Sequence, residues 1–122
     1  MEANKIIITG AAARIGAAIA KKLSGPGVEI VLHYNKSKLN AEKLKRELIK
    51  NHTKVYLVRG DLSKEQDLKK IIKLSKTKLG YFDCLINNAS LFENDNLRNF
   101  TSKSWAKHLD VNLKAPAYLT KE

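Results

Sequence analysis

Ile6-Ile7-Ile8-Thr9-Gly10-Ala11-Ala12-Ala13-Arg14-Ile15-Gly16 is the stretch whose reading decides the fold. A run of β-branched residues meets a glycine, small residues and a second glycine follow, and the apolar residues take helical spacing: Ile15, Ala18, Ile19, Ala20 and Leu23. This change of period predicts a strand, a tight turn and a helix start. Such a turn aims the free N–H groups of a helix N-terminus, with their partial positive charge, at an anion beyond the strand end. A phosphate or pyrophosphate is the natural ligand. The fingerprint is looser than Gly-x-Gly-x-x-Gly and has Arg14 in place of a middle glycine. Taken by itself, the turn also describes an ordinary strand-to-helix connection.

The neighbouring segments extend the pattern. Strand Lys5–Thr9, helix Arg14–Leu23 and strand Glu29–Tyr34 form a βαβ unit, with Ser24-Gly25-Pro26-Gly27 as the helix stop. Two apolar strands joined by a helix imply parallel pairing and a right-handed crossover, which puts the glycine turn at the carboxyl edge of the sheet. Just past the second strand come Asn35, Lys36 and Ser37. An acidic residue here would hydrogen-bond the ribose hydroxyls of NAD and repel a 2′-phosphate. A cation with short polar donors suits the 2′-phosphate of NADPH, although the same residues also make a polar loop. A helix is expected from Asn40 to Asn51, with Ala41, Leu44, Leu48 and Ile49 on one face.

Strand Lys54–Arg59 ends in Gly60-Asp61-Leu62-Ser63, and Ser63 with Gln66 reads as a capping box for a helix carrying Leu68, Ile71, Ile72 and Leu79. Asp61 can accept a hydrogen bond from an adenine amino group or serve as a cap. Strand Asp83–Ile86 leads into Asn87-Asn88-Ala89-Ser90. Asparagines there hold a sharp turn, and the small residues let the backbone approach a cofactor closely. A polar loop over the site is expected from Leu91 to Ser102. The last helix, Ser104 to Glu122, carries Trp105, Leu109, Val111, Leu113 and Tyr118, with Pro116 interrupting its apolar face. The whole predicts an α/β protein: one Rossmann-like domain over residues 1–122, a doubly wound parallel sheet of strand order 3-2-1-4.

Charge narrows the partners. With 23 Lys+Arg against 12 Asp+Glu, the net charge of +11 favours anionic ligands. Most of the cations are lysines on amphipathic helix faces. With no Arg-rich arm or aromatic-interleaved basic patch, nucleic acid is the weaker candidate beside a nucleotide. The single Cys84 lies in an apolar run and reads as a small buried hydrophobe. His33, His52 and His108 are scattered, without metal-ligand spacing, and read as structural or exposed. No signal-peptide pattern or membrane-length apolar run occurs, so a cytoplasmic protein without membrane contact is expected.

Together these residues resemble the short-chain dehydrogenase/reductase family. Thr9-Gly10-x-x-x-Arg14-x-Gly16 is similar to its cofactor turn, Asp61 to its adenine-pocket aspartate, Asn87-Asn88-Ala89-Ser90 to its Asn-Asn-Ala-Gly motif, and Asn112 to the helix asparagine of its catalytic tetrad. Within the family, Arg14, His33-Tyr34-Asn35-Lys36-Ser37, Asn87 through Phe92 and Val111 through Pro116 resemble the pteridine reductases. The resemblance implies NADPH as cofactor and a pterin or related carbonyl or imine substrate. In the order 3-2-1-4, strand Asp83–Ile86 is left as an apolar edge, so the chain is expected either to be part of a larger reductase or to form a homo-oligomer through that strand or its last helix. Gly10, Arg14, Ile15 and Gly16 would hold the phosphates; Asn35, Lys36 and Ser37 would select NADPH; Asp61 and Leu62 would flank adenine. Asn88, Ala89 and Ser90 would line the cofactor, Arg14, Ser90 and Phe92 would meet the pterin, and Asn112 would order a water in the proton relay. The family's Tyr-x-x-x-Lys follows the segment matched by Asn112 to Glu122, and Tyr118 has Glu122 four residues on. These residues are therefore expected to form an amino-terminal, cofactor-binding part that does not turn over by itself. The alternatives are a non-catalytic dinucleotide-binding module and a basic nucleic-acid-associated protein.

Overall fold

The β-branched runs form strands and the 3.6-period segments form helices, in strict alternation. In the computed structural model, which describes residues 4–91, 93, 94 and 96–122, the order is β1 (Lys5–Ile8), α1 (Arg14–Leu23), β2 (Glu29–Tyr34), α2 (Lys38–Lys50), β3 (Lys54–Arg59), α3 (Glu65–Leu79) and β4 (Cys84–Ile86). There follow α4 (Ser102–Leu109), a π-helical turn (Asp110–Lys114) and α5 (Ala115–Lys121). The sheet order is β3-β2-β1-β4, all parallel, with Ile7 level with Val31 on one side and Leu85 on the other. This is the doubly wound sheet expected from the sequence.

Period-2 alternation feeds two cores. Ile7, Val31 and Val58 face α3 and α5 residues such as Leu68, Ile71, Leu79 and Leu119, while Ile6, Ile8, Ile30, Leu32 and Val55 pack with Ala20, Leu44 and Leu48 of α1 and α2. A strand buried on both faces has no polar side to alternate with, which is why β1 and β2 read as near-continuous apolar runs. Each fully buried Ile or Leu contributes about 1.5–3 kcal/mol, so the central strands hold the sheet rigidly beneath the loops at its carboxyl edge.

Several helix faces differ from expectation. Ile15 is 70% exposed and Leu23 and Ile49 are also exposed; α1 buries Gly16 and Ala20 instead, because its small residues let the backbone approach the sheet. On the last helical segment Trp105 (59%), Leu109 and Leu113 (65%) face outward, and Ala115 and Leu119 face the core. The π-helical turn, which itself carries Leu113, puts a wide turn between α4 and α5, so one continuous apolar face does not form. Pro116 falls directly after the π-helical turn, in backbone that is already helical, where its missing N–H interrupts the regular ladder. Ser63 is not the N-cap of α3: the cap position is Lys64, without a side-chain bond, because Asp61 takes both the N–H and the hydroxyl of Ser63. The capping box falls instead at α4, where Thr101 and Ser104 exchange side-chain bonds of 3.0 Å.

Candidate functional site

The β1–α1 turn is built around a glycine whose groups are all spoken for. Gly10 has φ +61°, donates its N–H to His33 Nδ1 at 3.0 Å, and accepts the Asn88 Nδ2 hydrogen at its carbonyl at 3.0 Å. A Cβ on Gly10 would lie 2.8 Å from the Ala89 Cα, and one on Gly16 would lie 2.4 Å from the Gly10 oxygen. Both positions therefore require glycine. Arg14 takes the left-handed φ of +53° at the mouth of α1, a conformation that favours glycine. The first turn of α1 has no acidic residue and its cap makes no side-chain bond. Its N–H groups are left for an external acceptor, and the helix dipole favours an anion there.

Thr9 and Asn88 latch this turn to the end of β4. The Thr9 hydroxyl oxygen accepts the N–H groups of Asn88 and Ala89 at 3.1 and 3.0 Å, and Asn88 Nδ2 also donates to the Thr9 carbonyl at 3.2 Å. The Asn88 amide is thus spent on shaping the turn. His33, read from the sequence as structural or exposed, is 2% exposed and bridges three strand ends, with Nε2 2.8 Å from the Gly60 carbonyl as well as Nδ1 on Gly10. Burial pulls its pKa down, against the Gly60 hydrogen bond and the Asp61 charge, which raise it.

A cleft of about 640 Å³ opens over these strand ends. It gathers Gly10, Arg14 and Ile15 of the turn, Asn35, Lys36 and Ser37 after β2, Asp61 and Leu62 after β3, and Asn88, Ala89 and Ser90 after β4. Gly16 lies buried beneath it, and Phe92 lies outside the described residues. Asn35 is fixed by Arg59, whose Nε donates to its carbonyl at 3.2 Å, and Ser37 precedes α2 without capping it. On the β3 side, Asp67 accepts the Asp61 N–H at 2.7 Å and sets the loop. Burial works to raise the Asp61 pKa, but hydrogen bonds from the Ser63 hydroxyl and N–H, with Lys64 and Lys107 nearby, outweigh it and hold the carboxyl below its ordinary range. Asp61 is a carboxylate that caps a turn of its own loop.

The far wall was not read from the sequence. Lys107 and Val111 line the cleft from α4 and the π-helical turn; their four-residue spacing is the signal that could have placed them on one helix side. Lys107 pairs with Glu93 at 2.8 Å, which raises its pKa, while His108 Nε2 accepts the Glu93 N–H at 3.1 Å. Asn112 holds Leu91, a residue of the cleft wall, accepting its N–H at 2.7 Å and donating to its carbonyl at 2.8 Å. The loop after β4 is thereby strapped to the last helices. Among the described residues no three His, Cys, Asp or Glu side chains converge as a metal site, and no helix is long and apolar enough to cross a membrane.

A family model described as short chain dehydrogenase matches residues 4–122. Short-chain dehydrogenase/reductase FrzI of a Cladobotryum species is 30% identical over 113 residues, covering 93% of this chain and 44% of that protein. The FolM alternative dihydrofolate reductase 1 of Brucella canis, solved with NADP, superposes with a TM-score of 0.86 at 30% identity, over 95% of this chain and 47% of that one. A short chain dehydrogenase from Burkholderia cenocepacia, with a TM-score of 0.91 at 24% identity over 97% and 48% of the two chains, shares the fold. The chain spans about half the length of the curated relatives it matches.

Proposed function

The chain belongs to the short-chain dehydrogenase family, and from that premise we propose that it is the cofactor-binding part of an NADPH-dependent short-chain oxidoreductase. One observation carries the reading: the uncapped N-terminus of α1 and the carboxylate-free Asn35-Lys36-Ser37 segment face one cleft. The first end suits a pyrophosphate, and the second suits a 2′-phosphate. The structures solved with NADP that this chain resembles, FolM of Brucella canis among them, support the same cofactor.

The cofactor fits the donors present. Gly10, Arg14, Ile15 and Gly16 would hold the pyrophosphate, with Gly16 acting from below by allowing the turn's close packing. Asn35, Lys36 and Ser37 would take the 2′-phosphate, and Asp61 and Leu62 would flank the adenine. Asn88, Ala89 and Ser90 would line the nicotinamide side. When bound, reduced nicotinamide supplies a hydride to a carbonyl or imine carbon. Arg14, Ser90 and Phe92 would meet that substrate, and Asn112 would order a water for the proton relay while it holds Leu91. Arg14 in a glycine's place and the FolM likeness support a pterin-like substrate in the complete enzyme. The outward Trp105, Leu109 and Leu113 support self-association through the last helices. The test is titration of the 122-residue chain with NADPH and NADH, followed by nicotinamide fluorescence. Preferential binding of NADPH is expected; binding of neither nucleotide would overturn the proposal.

A further inference from the structure

His33 occupies a position that only one protonation state satisfies. Gly10 N–H reaches Nδ1 at 3.0 Å, and Nε2 stands 2.8 Å from the Gly60 carbonyl. An N–H must meet a lone pair and a carbonyl must meet a hydrogen, so the ring is neutral with its hydrogen on Nε2. The imidazolium would point a second hydrogen at the Gly10 N–H. Gly10 has no other place to go: its carbonyl is held by Asn88, and Ala89 crowds the side where a Cβ would stand. The next N–H of the turn, Ala11, donates to the His33 carbonyl at 3.0 Å, so side chain and backbone of one residue fix two successive turn residues.

We propose that His33 is a positioning residue of the dinucleotide site: its neutral imidazole fixes the phosphate turn against β2 and β3, and proton uptake at Nδ1 releases Gly10 and weakens dinucleotide binding. The proposal rests on the dinucleotide reading above. His33 touches no reacting atom and acts through Gly10. The groups packed around it are few. The turn bonds it through backbone; from β3, Arg59 gives its Nε to Asn35 and Gly60 gives its carbonyl; from the following loop, the Asp61 carboxylate favours the imidazolium, and the cations Arg14, Lys36 and Lys107 line the same cleft. Burial outweighs that charge and keeps the ring neutral below the ordinary imidazole range.

The test uses the 122-residue chain, its His33→Asn and His33→Ala variants, and two readouts from pH 8 to pH 5. Nitrogen-15 NMR reports the imidazole tautomer and the Gly10 amide; NADPH titration reports affinity. An asparagine Oδ1 replaces Nδ1 as acceptor and does not titrate. The proposal expects the Nε2–H tautomer at pH 8, and a Gly10 amide that shifts and exchanges faster as His33 takes up a proton. It also expects wild-type affinity to fall relative to His33→Asn over that same range. His33→Ala weakens NADPH on the order of ten-fold at pH 8, and His33→Asn recovers most of the loss. A hydrogen on Nδ1 at pH 8, or a Gly10 amide indifferent to His33 titration, overturns the proposal whether or not nucleotide binds. Parallel affinity profiles for wild type and His33→Asn overturn it too, since the cofactor phosphate's own titration would then account for both. Absence of NADPH binding at pH 8 with a responsive Gly10 amide removes the dinucleotide reading and leaves the His33–Gly10 lock standing.

Discussion

Asn112 pairs with the backbone of Leu91 as a neighbouring strand would, accepting its N–H at 2.7 Å and donating to its carbonyl at 2.8 Å. A carboxamide carries one acceptor and two donors in a plane, so it can pair both backbone groups of a residue that has left the sheet. Leu91 lies five residues past the end of β4, and Asn112 reaches it from the π-helical turn. Wide turns of this kind are found at functional positions more often than in plain helix. Here the wide turn also separates the outward stripe of α4 from the buried side of α5.

Replacing Asn112 by Ala leaves both Leu91 groups to water. Because the pair is exposed, the cost is modest, about 1 kcal/mol, read as a lower urea midpoint at an unchanged slope. The sharper readout is local. Leu91 amide exchange should accelerate while amides in β1 and β2 keep their protection; uniform acceleration would mean that Asn112 supports the global fold instead.

Gly16→Ala tests the turn from beneath. Its Cβ would lie 2.4 Å from the Gly10 oxygen and 2.6 Å from Asn88 Nδ2, and neither neighbour can give way without breaking the Asn88 latch. A loss of roughly 1–3 kcal/mol in stability is expected, with loss of NADPH binding in whatever fraction stays folded. A variant that folds and binds normally would show that the turn tolerates displacement.

Lys36→Ala separates the two nucleotides. The side chain is exposed at the cleft and neighbours no carboxylate at the end of β2, so its removal takes a charge from the proposed 2′-phosphate position and nothing from the core. NADPH should weaken on the order of ten-fold, with NADH changed little. Equal weakening of both would dismiss Lys36 as the source of selectivity.

The strand ends are legible in the sequence because β-branched runs stop abruptly at glycine, asparagine or aspartate. Gly10, Asn35, Asp61 and Asn88 come together in space for that reason alone: parallel strands deliver all their carboxyl ends to one edge. What stays illegible depends on distances that spacing does not encode. His33 and Gly10 are 23 residues apart, and nothing local says that an imidazole will meet that N–H. Lys107 and Val111 close the cleft from a helix whose approach is set by α3–α5 packing. Ser63 carries a capping signature, yet Asp61 two residues earlier captures it first. Local hydrogen-bond competition of this sort decides a cap, and a pattern match does not weigh it.

Ser75 marks a weakness in the core. Its hydroxyl is fully buried on α3 and has no hydrogen-bond partner among the described residues. An unpaired buried hydroxyl costs about 1–3 kcal/mol, whereas an alanine loses only one oxygen's volume and is the better helix former. Ser75→Ala should therefore raise stability by about 1 kcal/mol in chemical denaturation. A lower midpoint would reveal a partner for the hydroxyl in solution.

Acid should destabilise the fold in two separable steps. The His33 pKa is depressed from 6.5 by burial, so the unfolded chain takes up a proton first. Its contribution is complete above that ordinary value and is lost as pH falls through the lower, folded one. Asp61 is likewise depressed, from 3.8: burial opposes the shift, but the Ser63 bonds prevail, so its contribution is complete above 3.8 and is lost further into acid. Lys107 acts at the other end of the scale. The Glu93 hydrogen bond raises its pKa from 10.5, so that contribution is complete below 10.5 and is lost as alkali passes the raised value. Urea midpoints measured at pH 7.5, 5 and 3 should fall twice. In the His33→Asn variant the first fall should shrink, and in Asp61→Asn the second should, each without altering the other. Two undiminished falls in both variants would show that neither group is individually linked to the fold, and that total charge repulsion on this +11 chain governs its acid stability.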